Sequence, residues 1–366
     1  MANYQLTVIT LTPLHIGTGN ELRHGFDFTM AGNRTYRLNV DKILEARGDR
    51  LKRLPNGNYE LPSRLLTTED LRAQPEFFRY NLAGTPRSEK ADARMQECIK
   101  DVFDCVYIPG SSLKGAFRTA LAWAGWKEVQ PVLSRDAIGR SRNWAGQPLE
   151  KKFFGSEPNL DLLRALQVSD CAGSDKPGFR LIALNAQVLT PKGPGSPISL
   201  EAIAGDTQFT GSLKIDETLF SKMAEPVLHF SNRRHWLDQL LERIRAHSQA
   251  RIDELLPWFE GIQSAAPVAR FYRQLKDTAV QSNQAILQLG WGAGWDSKTF
   301  GSHLRKQTRL FEQLIAEFKM QKAGKTSSPR KPGVFPTSRR VAMKQTNAGE
   351  VIAAPIGWVL IELEQQ

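Results

Sequence analysis

The spacing of apolar residues along the chain predicts a mixture of strands and helices. Residues 4–12 are rich in β-branched and apolar side chains, which favours a strand that Pro13 ends. Over residues 113–125 the apolar side chains recur at the spacing of an amphipathic helix. The apolar run at residues 358–361 is typical of a central strand. Strands and helices do not alternate regularly, so a repeating β-α fold is not indicated.

The regions between these elements differ in composition and predict how the chain is divided. Residues 46–104 are charged, with scattered prolines and weak periodicity, which indicates an inserted lid. Residues 216–284 carry helical patterning and predict a helical insertion, and the Lys/Ser/Pro stretch at 321–336 indicates a flexible basic linker. The sequence leaves open whether the remaining core is one unit or two related lobes. That core would consist of residues 1–45, 105–215 and 285–366.

The charge balance points to a polyanionic partner. Lys and Arg number 49 against 38 Asp and Glu in 366 residues, a formal excess of +11. Such an excess indicates a nucleic acid more often than a membrane surface. A tract between Phe318 and Gly349 has no acidic residue, and a solvated basic loop is the alternative to a phosphate-binding role for it. Its basic residues are Lys319, Lys322, Lys325, Arg330, Lys331, Arg339, Arg340 and Lys344.

Cysteine usage and hydropathy limit the class of protein and its cellular compartment. Cys98, Cys105 and Cys171 form no C-x-x-C pair, which argues against a disulfide framework and against structural zinc. No apolar run approaches the roughly 20 residues of a membrane helix, and the first residues lack a signal-peptide pattern. We therefore expect a cytoplasmic protein without a membrane contact, a bound metal or another cofactor.

Residues 289–299 hold the most informative motif. Glycine lets the backbone turn tightly and approach a ligand closely, so the segment suits a surface that holds phosphates and stacks flat rings. It differs by one residue from the G-x-x-x-x-G-K-[ST] loop of nucleoside triphosphatases, because Ser297 replaces the second glycine. A structural turn is a further alternative. The residues concerned are Gly290, Trp291, Gly292, Gly294, Trp295, Ser297, Lys298 and Thr299.

A second candidate is the start of the helix that follows Pro109. Helix starts attract anions through unpaired N–H groups and a partial positive charge. Ser111 and Ser112 are candidate caps, and Lys114 and Arg118 share one helix face, where they would add two cations beside an anion. The alternative is an ordinary capped core helix with two solvated cations.

His15, which lies next to Gly17 and Gly19, is a third candidate. Histidine titrates near neutral pH, so His15 could be the general base of a metal-independent ribonuclease. It could equally hydrogen-bond a phosphate or serve the fold. Arg339 and Arg340 form a fourth candidate, because paired arginines hold phosphates in a bidentate manner.

The order of these motifs resembles the RAMP superfamily of CRISPR-associated proteins. Residues 11–19 resemble the opening of those proteins, residues 107–118 resemble their central phosphate-binding helix, and the late glycine-rich segment is a further hallmark. One subfamily, the fifth Csm subunits of type III-A CRISPR effector complexes, is similar in more detail. That similarity lies in residues 290–299, in the Phe-Pro-Thr-Ser-Arg-Arg segment at 335–340, and in the strand that begins Pro355-Ile356-Gly357-Trp358.

The resemblance implies an α+β fold with an RRM-like, ferredoxin-type core and inserted lid and helical regions. It implies a non-catalytic subunit that binds crRNA, caps the backbone filament at the crRNA 3′ end and supports 3′-end maturation in antiviral defence. The implied partners are crRNA, the repeating Csm backbone subunit, the small Csm subunit, host trimming nucleases and, indirectly, target RNA. The proline-rich residues 190–197, which are too rich in turn residues for regular structure, would correspond to a hairpin that inserts between crRNA bases in related subunits.

The motifs and the resemblance together predict an RNA groove with two walls. Trp291 or Trp295 would either stack a base or hold the loop in shape. A ribonuclease that uses His15 is the first alternative, and a nucleotide triphosphatase is the second. The predicted RNA-binding residues are His15, Gly17, Gly19, Ser111, Ser112, Lys114, Arg118, Gly290, Gly292, Gly294, Trp295, Ser297, Lys298, Thr299, Arg339 and Arg340.

Overall fold

The computed structural model describes residues 2–88, 90, 93–139, 141–191, 193–320 and 335–366. The strands are β1 (Ala2–Thr10), β2 (Gly17–Arg23), β3 (Phe28–Ala31), β4 (Arg34–Leu38), β5 (Phe78–Ala83), β6 (Arg94–Cys98), β7 (Tyr107–Ile108), β8 (Leu166–Val168), β9 (Cys171–Ala172), β10 (Leu181–Thr190), β11 (Gly193–Ile203), β12 (Gln208–Ile215), β13 (Gln284–Gln288), β14 (Arg339–Thr346), β15 (Gly349–Pro355) and β16 (Trp358–Gln365). The helices are α1 (Val40–Arg47), α2 (Asp70–Ala73), α3 (Gly110–Ala124), α4 (Trp126–Val129), α5 (Arg135–Ile138), α6 (Gln147–Phe154), α7 (Glu225–Leu228), α8 (Arg234–Asp238), α9 (Leu240–Glu260), α10 (Ala266–Asp277), α11 (Gly294–Ser297), α12 (Gly301–Arg305) and α13 (Thr308–Glu317).

The first sheet is antiparallel and has seven strands. Its order is β13-β16-β1-β12-β9-β7, with β8 paired to β12. Alternate residues of β1, Leu6 and Val8, are fully buried, as the period of a strand with one core face requires. The apolar run of β16 lies between β1 and β13, so the prediction of a central closing strand is confirmed.

Two long helices complete a ferredoxin-like unit on this sheet. The chain runs from β1 through α3 to β9 and β12, then through α9, and β16 returns beside β1. This is the β-α-β-β-α-β arrangement of ferredoxin-like folds. Phe117 of α3 and Ile244 of α9 share one core with Val8 and Val359 of the sheet. The predicted α+β fold class is therefore confirmed.

The second sheet has nine strands in the order β2-β6-β11-β10-β5-β4-β3, and β14 joins β10 to β15. Strands β5 and β6 lie within residues 46–104, the predicted lid. They pair with strands of this sheet, and Leu82 and Met95 are buried in the same core as Leu6 of the first sheet. Strands β5 and β6 are therefore core strands and not parts of a lid, because Tyr80, Leu82, Met95 and Cys98 are buried in the core that both sheets share.

Three other predictions need correction or lie beyond the described residues. Residues 216–284 are not wholly an insertion, because α9 is part of the ferredoxin-like unit. The segment 190–197 is not wholly irregular, because β11 begins at Gly193 and pairs with β10. Most of the predicted linker at 321–336 lies outside the described residues, which resume at Phe335.

Candidate nucleic-acid interface

Three segments that are far apart in the sequence meet beside the first sheet. We call this meeting point the glycine junction, and it comprises residues 11–19, 288–299 and 355–358. The Trp291 N–H donates to the His15 carbonyl at 2.8 Å, and the Gly357 N–H donates to the Pro13 carbonyl at 2.9 Å. The opening motif and the glycine-rich motif therefore lie side by side, joined by backbone hydrogen bonds.

The glycines of the junction differ in what they face. Gly290 has a φ of +73°, and a Cβ there would lie 2.5 Å from the His15 carbonyl oxygen. Gly292 also has a positive φ, and its Cβ would press on Ile356 at 3.1 Å. Gly294 and Gly19 have positive φ with no protein atom within 4 Å of a built Cβ. Gly290 and Gly292 thus serve close packing, whereas Gly294 and Gly19 face open space.

His15 is a buried residue of the fold. His15 is 2% exposed, and its Nδ1 donates to the Glu201 carbonyl at 2.6 Å. Burial lowers the pKa of His15. The Trp291 ring packs edge to face with the imidazole, at 6.1 Å between ring centroids, and a Cβ on Gly17 would lie 2.8 Å from Nε2. The arrangement fixes the loop and leaves little of the ring accessible to a substrate.

A buried ion pair that the sequence did not reveal supports His15. Glu201 is fully buried, and Lys100 donates to its Oε2 at 2.6 Å. The Tyr80 hydroxyl donates to Oε1 at 2.7 Å, and the Cys98 N–H donates to Oε2 at 3.0 Å. No local pattern could have found this network, because its members come from three strands or their ends and three of them lie in the region predicted as a lid.

Three predicted RNA contacts in the glycine-rich segment are bound within the protein. Ser297 is buried, and its hydroxyl donates to Gln288 Oε1 at 2.8 Å. The Thr299 hydroxyl donates to the Trp295 carbonyl at 2.9 Å. The Trp295 ring packs against Phe335 at 5.2 Å between centroids and also contacts Phe311. Trp295, Ser297 and Thr299 therefore help to hold the loop in shape, and their predicted contacts with RNA stay predictions.

Arg339 also belongs to the protein interior. Its guanidinium lies 3.4 Å from a carboxylate oxygen of buried Asp296, and it donates to the Pro336 carbonyl at 3.0 Å. Burial lowers the pKa of Arg339 to about 10. Arg251 and Arg305 contact the same carboxylate. Asp296 follows Trp295 directly in the sequence motif, so its position was visible, but its three arginine partners were not.

Lys298 and Arg340 form a surface that we call the cationic patch, together with Trp291. The Arg340 guanidinium lies 4.6 Å from the centroid of the Trp291 ring. Both cations are exposed, and within the part of the chain that the structure describes neither has an acidic partner. Partial burial lowers the pKa of Lys298, and the neighbouring Arg340 lowers it further. Two like charges thus lie close enough to interact, and one of them, Arg340, lies over the Trp291 ring.

The start of α3 already has an anion bound to it. The Gly110 N–H donates to Asp170 Oδ1 at 2.7 Å, so a phosphate at this end would compete with the protein's own carboxylate. Arg118 pairs with Glu150 and with Asp161, the latter at 2.7 Å, and its guanidinium stacks 4.1 Å above the Phe154 ring. The Arg118 guanidinium is thus held in internal ion pairs, and its predicted RNA contact stays a prediction.

The outer face of α3 still offers groups to a ligand. Ser111 is exposed and Ser112 is half-buried. The Lys114 amine makes no hydrogen bond or ion pair with the residues described, while burial lowers its pKa and Asp161 acts in the opposite direction. A Cβ on Gly115 would meet nothing within 4 Å, so the helix surface is open there. Across a cavity from α3 lies the glycine-rich segment.

The geometry does not fit a nucleotide-triphosphate loop. In such a loop the Lys and Ser/Thr open a helix whose start holds the phosphates. Here α11 ends at Ser297, so Lys298 and Thr299 follow a helix, and the preceding strand β13 belongs to an antiparallel sheet.

Among the described residues no group of His, Cys, Asp and Glu side chains could hold a metal ion. No helix among the residues that the structure describes is long and apolar enough to cross a bilayer.

The fold is that of a known class. Residues 7–295 match the RAMP superfamily, and the chain belongs to it. The chain is similar to the CRISPR system Cms protein Csm5 of Methanocaldococcus jannaschii, with 22% identity over 374 residues that cover 96% of this chain and 87% of that protein. To the Csm5 protein of Streptococcus thermophilus it is 32% identical over 136 residues, which cover 32% of this chain and 37% of that protein.

Solved structures are similar over almost the whole chain. A chain from a cryo-EM structure of a Csm–crRNA–target RNA ternary complex of a type III-A CRISPR-Cas system superposes with a TM-score of 0.70 and 23% identity, covering 99% of this chain and 100% of that one. The crystal structure of T. onnurineus Csm5 gives a TM-score of 0.64 and 22% identity, with 96% and 99% coverage. The resemblance stated from the sequence is thus confirmed.

Proposed function

We propose that this chain is a non-catalytic, crRNA-binding subunit of a type III-A Csm effector complex. It caps the filament of repeating backbone subunits at the crRNA 3′ end and supports 3′-end maturation. Its partners are crRNA, the backbone subunit and the small Csm subunit in the cytoplasm, with host nucleases trimming the RNA and target RNA reached indirectly. The similarity to Csm5 proteins over nearly the full length supports this proposal.

The observation that carries the RNA-binding part is the cationic patch. Arg118 and Arg339 are neutralised by the protein's own carboxylates, but Lys298 and Arg340 are not paired with an acid among the residues described. Like charges held close together repel, and a polyanion relieves that repulsion. An arginine stacked on a tryptophan also offers a flat surface to a base of single-stranded RNA. Phosphate and base can therefore bind at one place.

The burial of His15 argues against the ribonuclease alternative. A general base must come within hydrogen-bond reach of the proton that it removes. The ring of His15 is enclosed by the protein, and its Nδ1 is held by a carbonyl. Incubation of the pure protein in excess over CRISPR precursor RNA tests this directly, and we expect no cut at any pH from 5 to 9.

RNA binding is tested by the salt dependence of affinity. We expect Lys298→Ala and Arg340→Ala to weaken binding to a fluorescein-labelled single-stranded RNA of mixed sequence. Each should make the slope of log K against log salt shallower by about 0.7, which is the contribution of one phosphate contact in single-stranded nucleic acid. Lys114→Ala tests the face of α3 in the same way. Fluorescence anisotropy across a salt series gives both affinity and slope.

The matched control is Lys276→Ala. Lys276 is similarly exposed, but it pairs with Asp253 at 2.7 Å, so its removal should leave the slope unchanged. Equal slopes in the unmodified protein, Lys298→Ala and Arg340→Ala would rule out the patch as the RNA site. The cap role needs a separate experiment, in which Csm complexes are assembled with and without this chain. Loss of the shorter mature crRNA in its absence supports the role, and unchanged 3′ ends contradict it.

A further inference from the structure

An apolar cavity lies between α3 and the helices that follow the glycine-rich segment. Its volume is about 220 Å³. Trp295 and Gly301 contribute to the wall next to the glycine junction. The apolar side chains around it include those of Ile138, Leu304, Phe311, Leu314, Phe318 and Met320. No function assigned so far uses this space.

Polar side chains also line the cavity. Lys298 and Thr299 line it from the glycine-rich segment, and Arg118, Thr119 and Glu150 line it from the opposite side. Arg118 and Glu150 neutralise each other. Lys298 is a lining cation that has no acidic partner among the described residues, and it belongs to the cationic patch. The cavity thus opens beside the place where a phosphate would bind.

The size of the cavity limits what can enter. An apolar cavity of about 150 Å³ is known to hold benzene, so about 220 Å³ accommodates a somewhat larger flat ring. Pockets for drug-sized ligands begin at about 300 Å³, which exceeds this volume. Bare phosphate would lose its hydration among these apolar walls without gaining hydrogen bonds, so a phosphate is excluded from the interior.

We infer that the cavity takes one unstacked base of the single-stranded RNA whose phosphate lies at Lys298. This inference rests on the proposed function. Proteins recognise single-stranded RNA by splaying out bases and placing them against aromatic side chains. Phe311 and Trp295 supply such surfaces, and Lys298 supplies a positive charge for the adjoining phosphate. An apolar protein side chain in the cavity would not need that charge. Since the interior is apolar, the site accepts a base by shape and is tolerant of sequence.

The test is a double-mutant cycle that combines a missing base in the RNA with a filled cavity in the protein. A set of RNAs, each abasic at a different single position, is titrated against the unmodified protein and against Leu314→Trp, whose larger side chain fills the cavity. We expect one abasic position to weaken binding to the unmodified protein by roughly tenfold, the order of one base–aromatic contact. Leu314→Trp should bind intact RNA about tenfold more weakly, and the abasic position should then cost nothing further. The salt slope should stay the same throughout.

Two further variants complete the design. Ile315→Leu changes the neighbouring residue of α13, which is buried but does not line the cavity, and should bind like the unmodified protein. Leu304→Phe fills the cavity from α12 if Leu314→Trp does not give a cooperative melting transition.

Equal cost at every abasic position, or full RNA affinity in both filled variants, would overturn the inference. Full RNA affinity with lost assembly onto the backbone subunit would instead assign the cavity to a protein side chain. Unchanged salt slopes in Lys298→Ala and Arg340→Ala would instead rule out the cationic patch as the RNA site, on which this inference rests.

Discussion

Replacing Lys100 with methionine removes the cation that faces the fully buried carboxylate of Glu201. The side chain of Lys100 is 4% exposed and that of Glu201 is 0% exposed, so water cannot replace the lost partner. Breaking a buried pair on one side costs about 3–5 kcal/mol. Tyr80 and Cys98 still donate to the carboxylate, so we expect the lower end of that range, about 3 kcal/mol.

Urea denaturation followed by tryptophan fluorescence measures this loss. The midpoint should fall in Lys100→Met, and the slope of the transition should not change. Lys42→Met is the matched control, because Lys42 pairs with Glu45 where the side chains are 53% and 66% exposed. Exposed pairs of this kind contribute little to stability, because water and salt screen both charges. The control should therefore unfold almost like the unmodified protein.

The double variant Lys100→Met/Glu201→Gln separates an unpaired charge from lost packing. It removes both charges and keeps an oxygen that accepts from Tyr80. We expect it to regain at least half of the stability that Lys100→Met loses, since the uncompensated charge is gone. A loss below about 1 kcal/mol in Lys100→Met, or strictly additive effects in the double variant, would refute the reasoning.

Two further predictions concern the glycine junction and the response to acid. Gly290→Ala should destabilise the protein more than Gly294→Ala, because both have positive φ but only Gly290 has a carbonyl, that of His15, in the way; the extra cost should be about 1–3 kcal/mol by urea midpoint, and equal costs would contradict the structure. Burial lowers the pKa of His303 to about 4 and that of His247 to about 3. The unfolded chain therefore binds these protons first, and stability should fall as the pH drops from about 6.5 towards 4. His303→Phe should make that fall shallower in midpoints measured across pH, and an identical pH profile would contradict the assignment.

The elements with strong periodicity were predictable from the sequence. The amphipathic spacing of residues 113–125 predicted α3, and the apolar run at 358–361 predicted β16, because each pattern depends on local burial alone. Strands β5 and β6 were missed because they are short and lie among charged, proline-containing segments. Their strand character depends on neighbours in the second sheet, which no local pattern contains.

The candidate site was predictable in composition but not in the role of each residue. The motifs correctly brought attention to the glycine junction, where His15 and Trp291 meet. They could not separate Lys298, which has no acidic partner among the described residues, from Arg118, whose partners Glu150 and Asp161 are distant in sequence. Charge neutralisation is a tertiary property, so a cation that is solvated and one that is internally paired look alike in sequence.

The long sequence distance within the junction has a consequence for the order of events during synthesis. The Trp358 N–H donates to the Thr12 hydroxyl across 346 residues. At a synthesis rate of about 5–20 residues per second, roughly 20–70 s separate the synthesis of Thr12 from that of Trp358, which completes this contact. Arg340 of the cationic patch is also made late. A nascent chain therefore lacks the assembled junction until β16 has been made.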